Sequence, residues 1–270
     1  MRVPVRLAVL GDPLTFTLSP ALHRAGLEAL GLPGTSGALR VPQERLGATL
    51  GGLADAGYRG VNVTRPLKQA ALACLAGATE EARRAGSVNT VSFEPGGAQG
   101  DTTDGVGFVA LLEELGVPCA GARVVLLGTG AAARSLALAL LTAGSAVVAW
   151  ARRPAHASPD WAPIAGARLV AWGCPAGVAA LEAADVVVNA TPLSGPAGPL
   201  AIGDLPRRAR VVDLVYGSEV TPWVRAARAG GLEAVDGLGL LVHQARRSLA
   251  LWTGREVPLA PLARAVGWPR

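Results

Sequence analysis

Of the 25 basic residues in this 270-residue chain, Lys68 is the one lysine; every other is arginine. Where a generic positive charge would serve, the chain carries arginine, so the surviving lysine stands out. Arginine is a planar fork that stays protonated, whereas lysine is a compact point charge whose pKa moves on burial, so it can give or take a proton. Lys68 is therefore a candidate acid/base group, against the plain alternative of a leftover surface lysine. It closes the run Gly60-Val61-Asn62-Val63-Thr64-Arg65-Pro66-Leu67-Lys68, whose amide and hydroxyl side chains are of the kind that line polar pockets. Three more polar features lie in the same part of the chain: Thr17-Leu18-Ser19, Asn89-Thr90, and Asp104 at the start of a helical pattern. A polyhydroxylated ring carrying a carboxylate would need such hydroxyl, amide and charged groups converging on it. Singly, each has a structural reading: Ser19 as an N-cap before Pro20, Asp104 as a cap at Gly105.

A second constellation is Gly128-Thr129-Gly130-Ala131-Ala132-Ala133, set between a strand-like run and a helical one. This is the dinucleotide-binding pattern with Ala in place of the third Gly. The glycines let the backbone turn tightly and approach a pyrophosphate, which sits at a helix N-terminus where amides and dipole favour anions. The alternative is a strand–helix turn that holds no ligand. The next strand ends in Trp150-Ala151-Arg152-Arg153. An NAD site would carry a carboxylate there for the ribose hydroxyls; two guanidiniums suit a 2′-phosphate, so NADP is favoured over NAD. Two solvated loop arginines are the competing reading. Asn189-Ala190-Thr191-Pro192 ends a further strand at the carboxyl edge of the sheet, where Thr191 either lines the cofactor crevice or belongs to a polar turn stopped by Pro192.

Positioning these residues falls to a regular alternation of strand-length apolar runs and helical patterns, the signature of α/β architecture with largely parallel sheets. Early strands are expected at residues 7–10, 39–41, 58–63 and 88–93, with helices from Pro20 through Leu30, over 44–55, from Leu67, and over 104–115. Pro95-Gly96-Gly97 reads as a tight turn. A second unit opens near Gly121, with strands at 123–127, 146–150, 185–189 and 210–214 and a helix at 131–143. Residues 155–166, weakly patterned and Pro-bearing, predict a loop; 238–252 predict a long amphipathic helix and 259–266 a short one. The fold expected is two α/β domains. Residues 1–101 plus 237–270 form a substrate-binding and catalytic domain around a mixed sheet, residues 102–236 a Rossmann domain, and the active site is the cleft between them.

Hydrophobic residues at 50% exclude disorder, and charged residues at only 17% imply a large interior. No apolar run reaches ~18 residues, so no transmembrane helix is expected. The start, Met1-Arg2-Val3-Pro4-Val5-Arg6, lacks the apolar stretch of a signal peptide. Cys74, Cys119 and Cys174 are far apart and in no metal-ligand spacing, and read as reduced core thiols of a cytoplasmic protein. His23, His156 and His243 form no ligand set, so no metal is expected. The net charge of +5 comes from arginines scattered along the chain, which disfavours nucleic acid and suits small anionic ligands.

Taken together and in order, these segments resemble the shikimate dehydrogenase family over nearly the whole chain. The family's Ser-x-Ser-Pro opening appears as Thr17-Leu18-Ser19-Pro20, and its Asn-Val-Thr-x-Pro-x-Lys stands intact at Asn62 to Lys68. Val88-Asn89-Thr90, Thr102-Thr103-Asp104-Gly105, the turn from Gly128 to Ala132, Asn189 to Pro192 and Asp213-Leu214-Val215-Tyr216 follow. Gly237 to Gln244 and Trp252-Thr253-Gly254 complete the set. The resemblance implies reversible, NADPH-dependent reduction of 3-dehydroshikimate to shikimate in aromatic amino-acid biosynthesis, with Lys68 and Asp104 as the catalytic pair. It implies substrate contacts from Thr17, Ser19, Asn62, Thr64, Asn89, Tyr216 and Gln244. It implies cofactor contacts from Gly128, Gly130, Ala131, Ala132, Arg152, Arg153, Thr191, Leu214, Gly237 and Leu240. A cytoplasmic monomer or homodimer with no nucleic-acid or membrane partner goes with it. The chain departs from the family pattern at Thr17, Thr102, Leu240, Ala151 and the Ala245-Arg246 pair, where Arg246 is either an exposed helix arginine or a new anion contact. These departures leave open a paralogue acting on quinate or an aminoshikimate, and, in another class, a non-catalytic NADP-binding sensor.

Overall fold

The apolar runs become strands of two six-stranded sheets, which also take in strands that are not apolar. The structure is a computed structural model that describes residues 3–270, so the Met1-Arg2 part of the opening segment lies outside the described residues. The first sheet comprises β1 (Val5–Gly11), β2 (Gly34–Arg40), β3 (Gly60–Val63), β4 (Gly77–Ala78), β5 (Thr90–Glu94) and β6 (Gly97–Asp101), in the order β2-β1-β3-β5-β6-β4. It is mixed: β1 runs parallel to β2 and β3, while β5 is antiparallel to both β3 and β6. The register sets Asn62 opposite Thr90 and Thr90 opposite Asp101. Helices α1 (Ser19–Ala29), α2 (Leu46–Asp55), α3 (Lys68–Leu72) and α4 (Glu80–Ala85) belong to this part of the chain. Leu10, Leu46, Leu50, Val61, Val63, Leu67 and Val91 share one buried apolar core.

The second sheet comprises β7 (Arg123–Leu127), β8 (Ala146–Ala151), β9 (Arg168–Ala171), β10 (Val186–Asn189), β11 (Arg210–Asp213) and β12 (Ala234–Val235), in the order β12-β11-β10-β7-β8-β9. Every pairing is parallel. From β7 the chain steps outward to β8 and β9, then returns to lay β10, β11 and β12 on the other side. That reversal is the topological switch point of a doubly wound fold. Strands buried on both faces must be apolar throughout, which is why Val124-Val125-Leu126-Leu127 and Val186-Val187-Val188 were readable as runs. The helices that follow are α5 (Asp104–Glu114), α6 (Ala131–Thr142), α7 (Pro154–Trp161), α8 (Pro175–Glu182), α9 (Pro222–Ala229), α10 (Leu238–Thr253) and α11 (Leu259–Val266). The chain divides into two compact units, one formed by the residues up to Gly107 with Leu241–Trp268, the other by Phe108–Leu240 with Pro269–Arg270. Two of the three boundaries fall inside helices, α5 and α10.

Four local expectations are corrected. Of residues 155–166, expected as a loop, 162–166 are turns but 155–161 belong to α7: Pro154 occupies the first turn, where its missing N–H costs nothing, and buried Trp161 anchors the far end by donating to the Thr129 carbonyl at 3.1 Å. Ser19 is the first residue of α1 rather than its N-cap; Leu18 precedes the helix and gives no side-chain cap. Residues 44–55 begin with a 3-10 turn at Gln43–Arg45 before α2. All three cysteines are free, but Cys74 is exposed and Cys174 only partly buried, leaving Cys119 as the core thiol.

Candidate active site

Lys68 opens α3 immediately after Leu67, which is fully buried in the core and fixes the point where the lysine leaves the strand–helix turn. A cation at a helix N-terminus opposes the helix dipole, so local propensity does not account for lysine here. Its partner does. Asp104 begins α5, where a carboxylate suits the dipole, and its Oδ2 accepts from the Lys68 ammonium. The side chains are 18% and 9% exposed, so the pair is largely shielded while the ammonium keeps a face open.

The other carboxylate oxygen is equally engaged: Asn89 Nδ2 donates to Asp104 Oδ1 at 2.8 Å. The orientation of that amide is fixed by chemistry, because Asn89 Oδ1 accepts from the Thr103 backbone N–H at 2.7 Å and a backbone amide can only donate. Gln244 on α10 brings Oε1 to 3.4 Å from the same Asn89 nitrogen, its own amide anchored on the Leu241 carbonyl at 2.9 Å. Lys68, Asp104, Asn89 and Gln244 thus meet, drawn from α3, α5, the approach to β5, and α10.

Behind them lies a buried polar network. Asn62 Nδ2 is 3.0 Å from the Asn89 carbonyl, 3.1 Å from Thr90 Oγ1 and 3.1 Å from Ser248 Oγ. Because a carbonyl only accepts, this nitrogen is the donor, and Asn62 Oδ1 must accept from His23 Nε2 at 2.8 Å. His23 is therefore the Nε2–H tautomer, with Nδ1 free to accept from Ser36 Oγ at 2.8 Å. Burial, only partly opposed by the Asn62 bond, lowers the His23 pKa to about 4 and keeps it neutral. The Asn62 amide is wholly used inside the protein, so it props the site from behind. Ser248, which no motif marked, bonds Thr90 at 2.8 Å and Thr103 at 3.2 Å. The signal that could have found it is its place one helical turn beyond Gln244 on the buried face of α10.

Thr17 and Ser19 sit together, the Ser19 N–H donating to Thr17 Oγ1 at 3.3 Å, and Thr64 is tied by its own N–H to the Leu10 carbonyl at 2.8 Å. Tyr216, expected on the substrate, lies in the other unit on the loop after β11, among the residues expected on the cofactor. Arg246, expected as either an exposed helix arginine or a new anion contact, is half-buried and held by the Val257 carbonyl at 2.6 Å and by Glu256.

In the second unit, Gly128 adopts φ +114, a conformation L side chains rarely take, and a Cβ there would press at 3.1 Å on the Ala190 carbonyl and Thr191. The turn delivers the chain to α6, a twelve-residue helix capped by exposed Gly130 with no side-chain cap bond. Its first-turn amides are therefore open to an anion. Arg152 and Arg153 are exposed just beyond β8. Thr191 Oγ1 donates to Asn189 Oδ1 at 2.7 Å, and Asn189 Nδ2 donates to Asp213 Oδ1 at 2.8 Å across paired strands β10 and β11. Asp213 is fully buried; burial raises its pKa to about 6 against the opposing bonds from Thr221, the Val215 N–H and Asn189. These features fit an NADP-sized dinucleotide. Among the described residues no cluster of His, Cys, Asp and Glu could hold a metal, and no helix is long and apolar enough to cross a membrane.

Residues 9–91 match the model of the shikimate dehydrogenase substrate binding domain, and residues 237–266 that of the shikimate 5′-dehydrogenase C-terminal domain. A shikimate dehydrogenase (NADP(+)) of Acidiphilium cryptum is 43% identical over 92% of this chain and 91% of its own length. The crystal structure of shikimate 5-dehydrogenase from Thermus thermophilus in complex with NADP(H) and shikimate superposes with a TM-score of 0.87 at 37% identity, covering 97% of this chain and 98% of that one. The ligand-free 5-ketofructose reductase of Gluconobacter sp. strain CHM43 also shares the fold, with a TM-score of 0.85 at 29% identity over 98% of each chain. With full-length relatives this similar and two domain models in their proper places, the chain belongs to the shikimate dehydrogenase family.

Proposed function

We propose that this chain is an NADP-dependent oxidoreductase that reversibly reduces 3-dehydroshikimate to shikimate, a step of aromatic amino-acid biosynthesis. The observation that carries the reading is the Lys68–Asp104 pair, two groups from separate helices whose carboxylate is locked on both oxygens while the ammonium remains partly open. The unit carrying Lys68 holds the ring acid; the unit carrying the Gly128 turn holds the dinucleotide. Ser19, Thr17, Thr64, Asn89 and Gln244 supply the hydroxyl and amide groups for the substrate. A cytoplasmic location accords with the three free cysteines.

Gly128, Gly130 and the first turn of α6 would receive the pyrophosphate, Arg152 and Arg153 the 2′-phosphate, and Thr191, Leu214, Gly237 and Leu240 the nicotinamide end. Bound NADPH supplies the hydride that goes to the carbonyl carbon. Lys68 places an N–H against the carbonyl oxygen, where charge develops as that bond forms, and stabilises it. The Lys68–Asp104 pair delivers the proton that turns this oxygen into a hydroxyl, and takes it back in reverse. Asn89 holds Asp104 still through the exchange, so the ammonium is aimed before substrate arrives.

A spectrophotometric assay with a panel of ring acids and both nicotinamides tests this. Turnover of shikimate with NADP as the best pair is expected. Tight NADPH binding without turnover of any ring acid would make the protein a sensor; a preference for quinate or an aminoshikimate would move it to a paralogue. Replacing Arg152 and Arg153 together by Ala should weaken NADPH by roughly tenfold or more relative to NADH; equal losses would remove the cofactor assignment.

A further inference from the structure

Arg270 makes a concentrated set of contacts that the proposed reaction has not used. Its guanidinium donates to Asp236 Oδ2 through Nη2 at 2.6 Å and Nε at 3.1 Å. It also reaches the carbonyls of Gly217 at 3.0 Å, Ser218 at 3.0 Å and Glu219 at 3.1 Å. Its backbone carbonyl is held by Arg228 of α9 at 2.8 Å. The side chain is 19% exposed and that of Asp236 only 1%. A surface arginine has no need of three backbone carbonyls and a buried carboxylate at once; the planar fork matches this divergent set, which a lysine could not span.

What the fork joins are two neighbouring segments at the carboxyl edge of the parallel sheet: the 214–220 loop after β11 and the Asp236-Gly237-Leu238 turn after β12. They are pressed together. Gly237 N donates to the Val215 carbonyl at 3.0 Å, and a Cβ on Gly237 would sit 2.2 Å from the Leu214 carbonyl. The other Asp236 oxygen accepts from Leu238 N at 3.1 Å, so one carboxylate fixes both the guanidinium and the start of α10. The sheet order says which part of a dinucleotide these segments meet. The glycine turn follows β7, and the two exposed arginines follow β8 on one side of it, taking the adenosine half. β10, β11 and β12 lie on the opposite side and are left for the nicotinamide half.

We propose that Arg270 is a positioning residue for the nicotinamide end of the cofactor site: its guanidinium ties the 217–219 carbonyls to Asp236 and so holds the 214–220 loop and the Gly237 turn in the shape that receives the ring. The assignment rests on the dehydrogenase reading above. It predicts that the two halves of the cofactor respond differently when the fork is lost.

The test measures dissociation constants for NADPH and for adenosine 2′,5′-bisphosphate, which lacks the nicotinamide half, on the full chain and on R270A and R270K, with melting curves alongside. The unaltered protein should bind both ligands. In R270A the NADPH affinity should fall by about tenfold, as for losing hydrogen bonds to a charged group, while the bisphosphate affinity stays unchanged. R270K keeps the charge opposite Asp236 but not the fork, and should fall between. Should R270A fail to fold, R270K alone carries the comparison. Unchanged NADPH binding in the variants overturns the assignment, as does an equal loss for both ligands, which would make Arg270 a general anchor of its unit. No binding of either ligand to the unaltered protein sinks the dehydrogenase reading instead.

Discussion

At Lys68 the chain places a cation where a helix start disfavours one, and meets it with a carboxylate that another helix start favours. Removing the ammonium leaves Asp104 with Asn89 and the α5 dipole, so the carboxylate is not stranded. Lys68→Ala is therefore expected to fold normally by circular dichroism while turnover falls by roughly two or more orders of magnitude. Near-normal turnover in that variant would end the proposed role. The lysine was legible because composition isolated it and the Asn62 to Lys68 run surrounded it. Its exact neighbours were less so: Asn89 and Asp104 were visible as residues, but that Asn89 locks the carboxylate depends on Thr103 and Gln244, which no spacing connects.

At the level of elements, α10 is the piece that ties the polar network to the sheet. Gln244, Ser248 and Trp252 recur every four residues on one buried face, and Trp252 Nε1 donates to the Val91 carbonyl at 3.0 Å while Ser248 reaches Thr90. Ser248→Ala keeps a similar volume but takes one buried hydrogen-bond partner each from Asn62, Thr90 and Thr103. Denaturant titration should show a loss of about 1–3 kcal/mol, the cost of unsatisfied buried polar groups; no loss would mean that the network re-pairs without it. Strands buried on both faces announced themselves as Val- and Leu-rich runs, and β7 and α11 fall where the pattern put them. Gly97-Ala98-Gln99-Gly100-Asp101 did not, because residues with little strand preference become β6 only through pairing with β5. α7 was hidden by its prolines and exists through the anchorage of Trp161.

For the molecule as a whole, two buried groups give opposing responses to acid. His23 stays neutral down to about 4, so between its ordinary 6.5 and that value the unfolded chain binds the proton first and acid destabilises the fold. Asp213, raised from 3.8 to about 6, does the reverse: the folded chain holds its proton longer, so stability falls as pH rises through that window. Each effect is on the order of 3 kcal/mol across its range, and they offset one another near pH 5. Relative to the unaltered protein, His23→Gln should gain stability as pH drops from 6.5 toward 4, and Asp213→Asn should gain it as pH rises from 4 to 6, both read by denaturant titration at a series of pH values. Parallel, pH-independent offsets would show that neither group titrates as described. With one lysine in 270 residues, an acylating reagent selective for primary amines has a single side chain to find, beside the α-amino group. A mass spectrum should then count adducts at the Lys68 nitrogen directly, and a saturating ring acid should protect it if the proposed role holds, so occupancy can be measured with no mutation and no turnover.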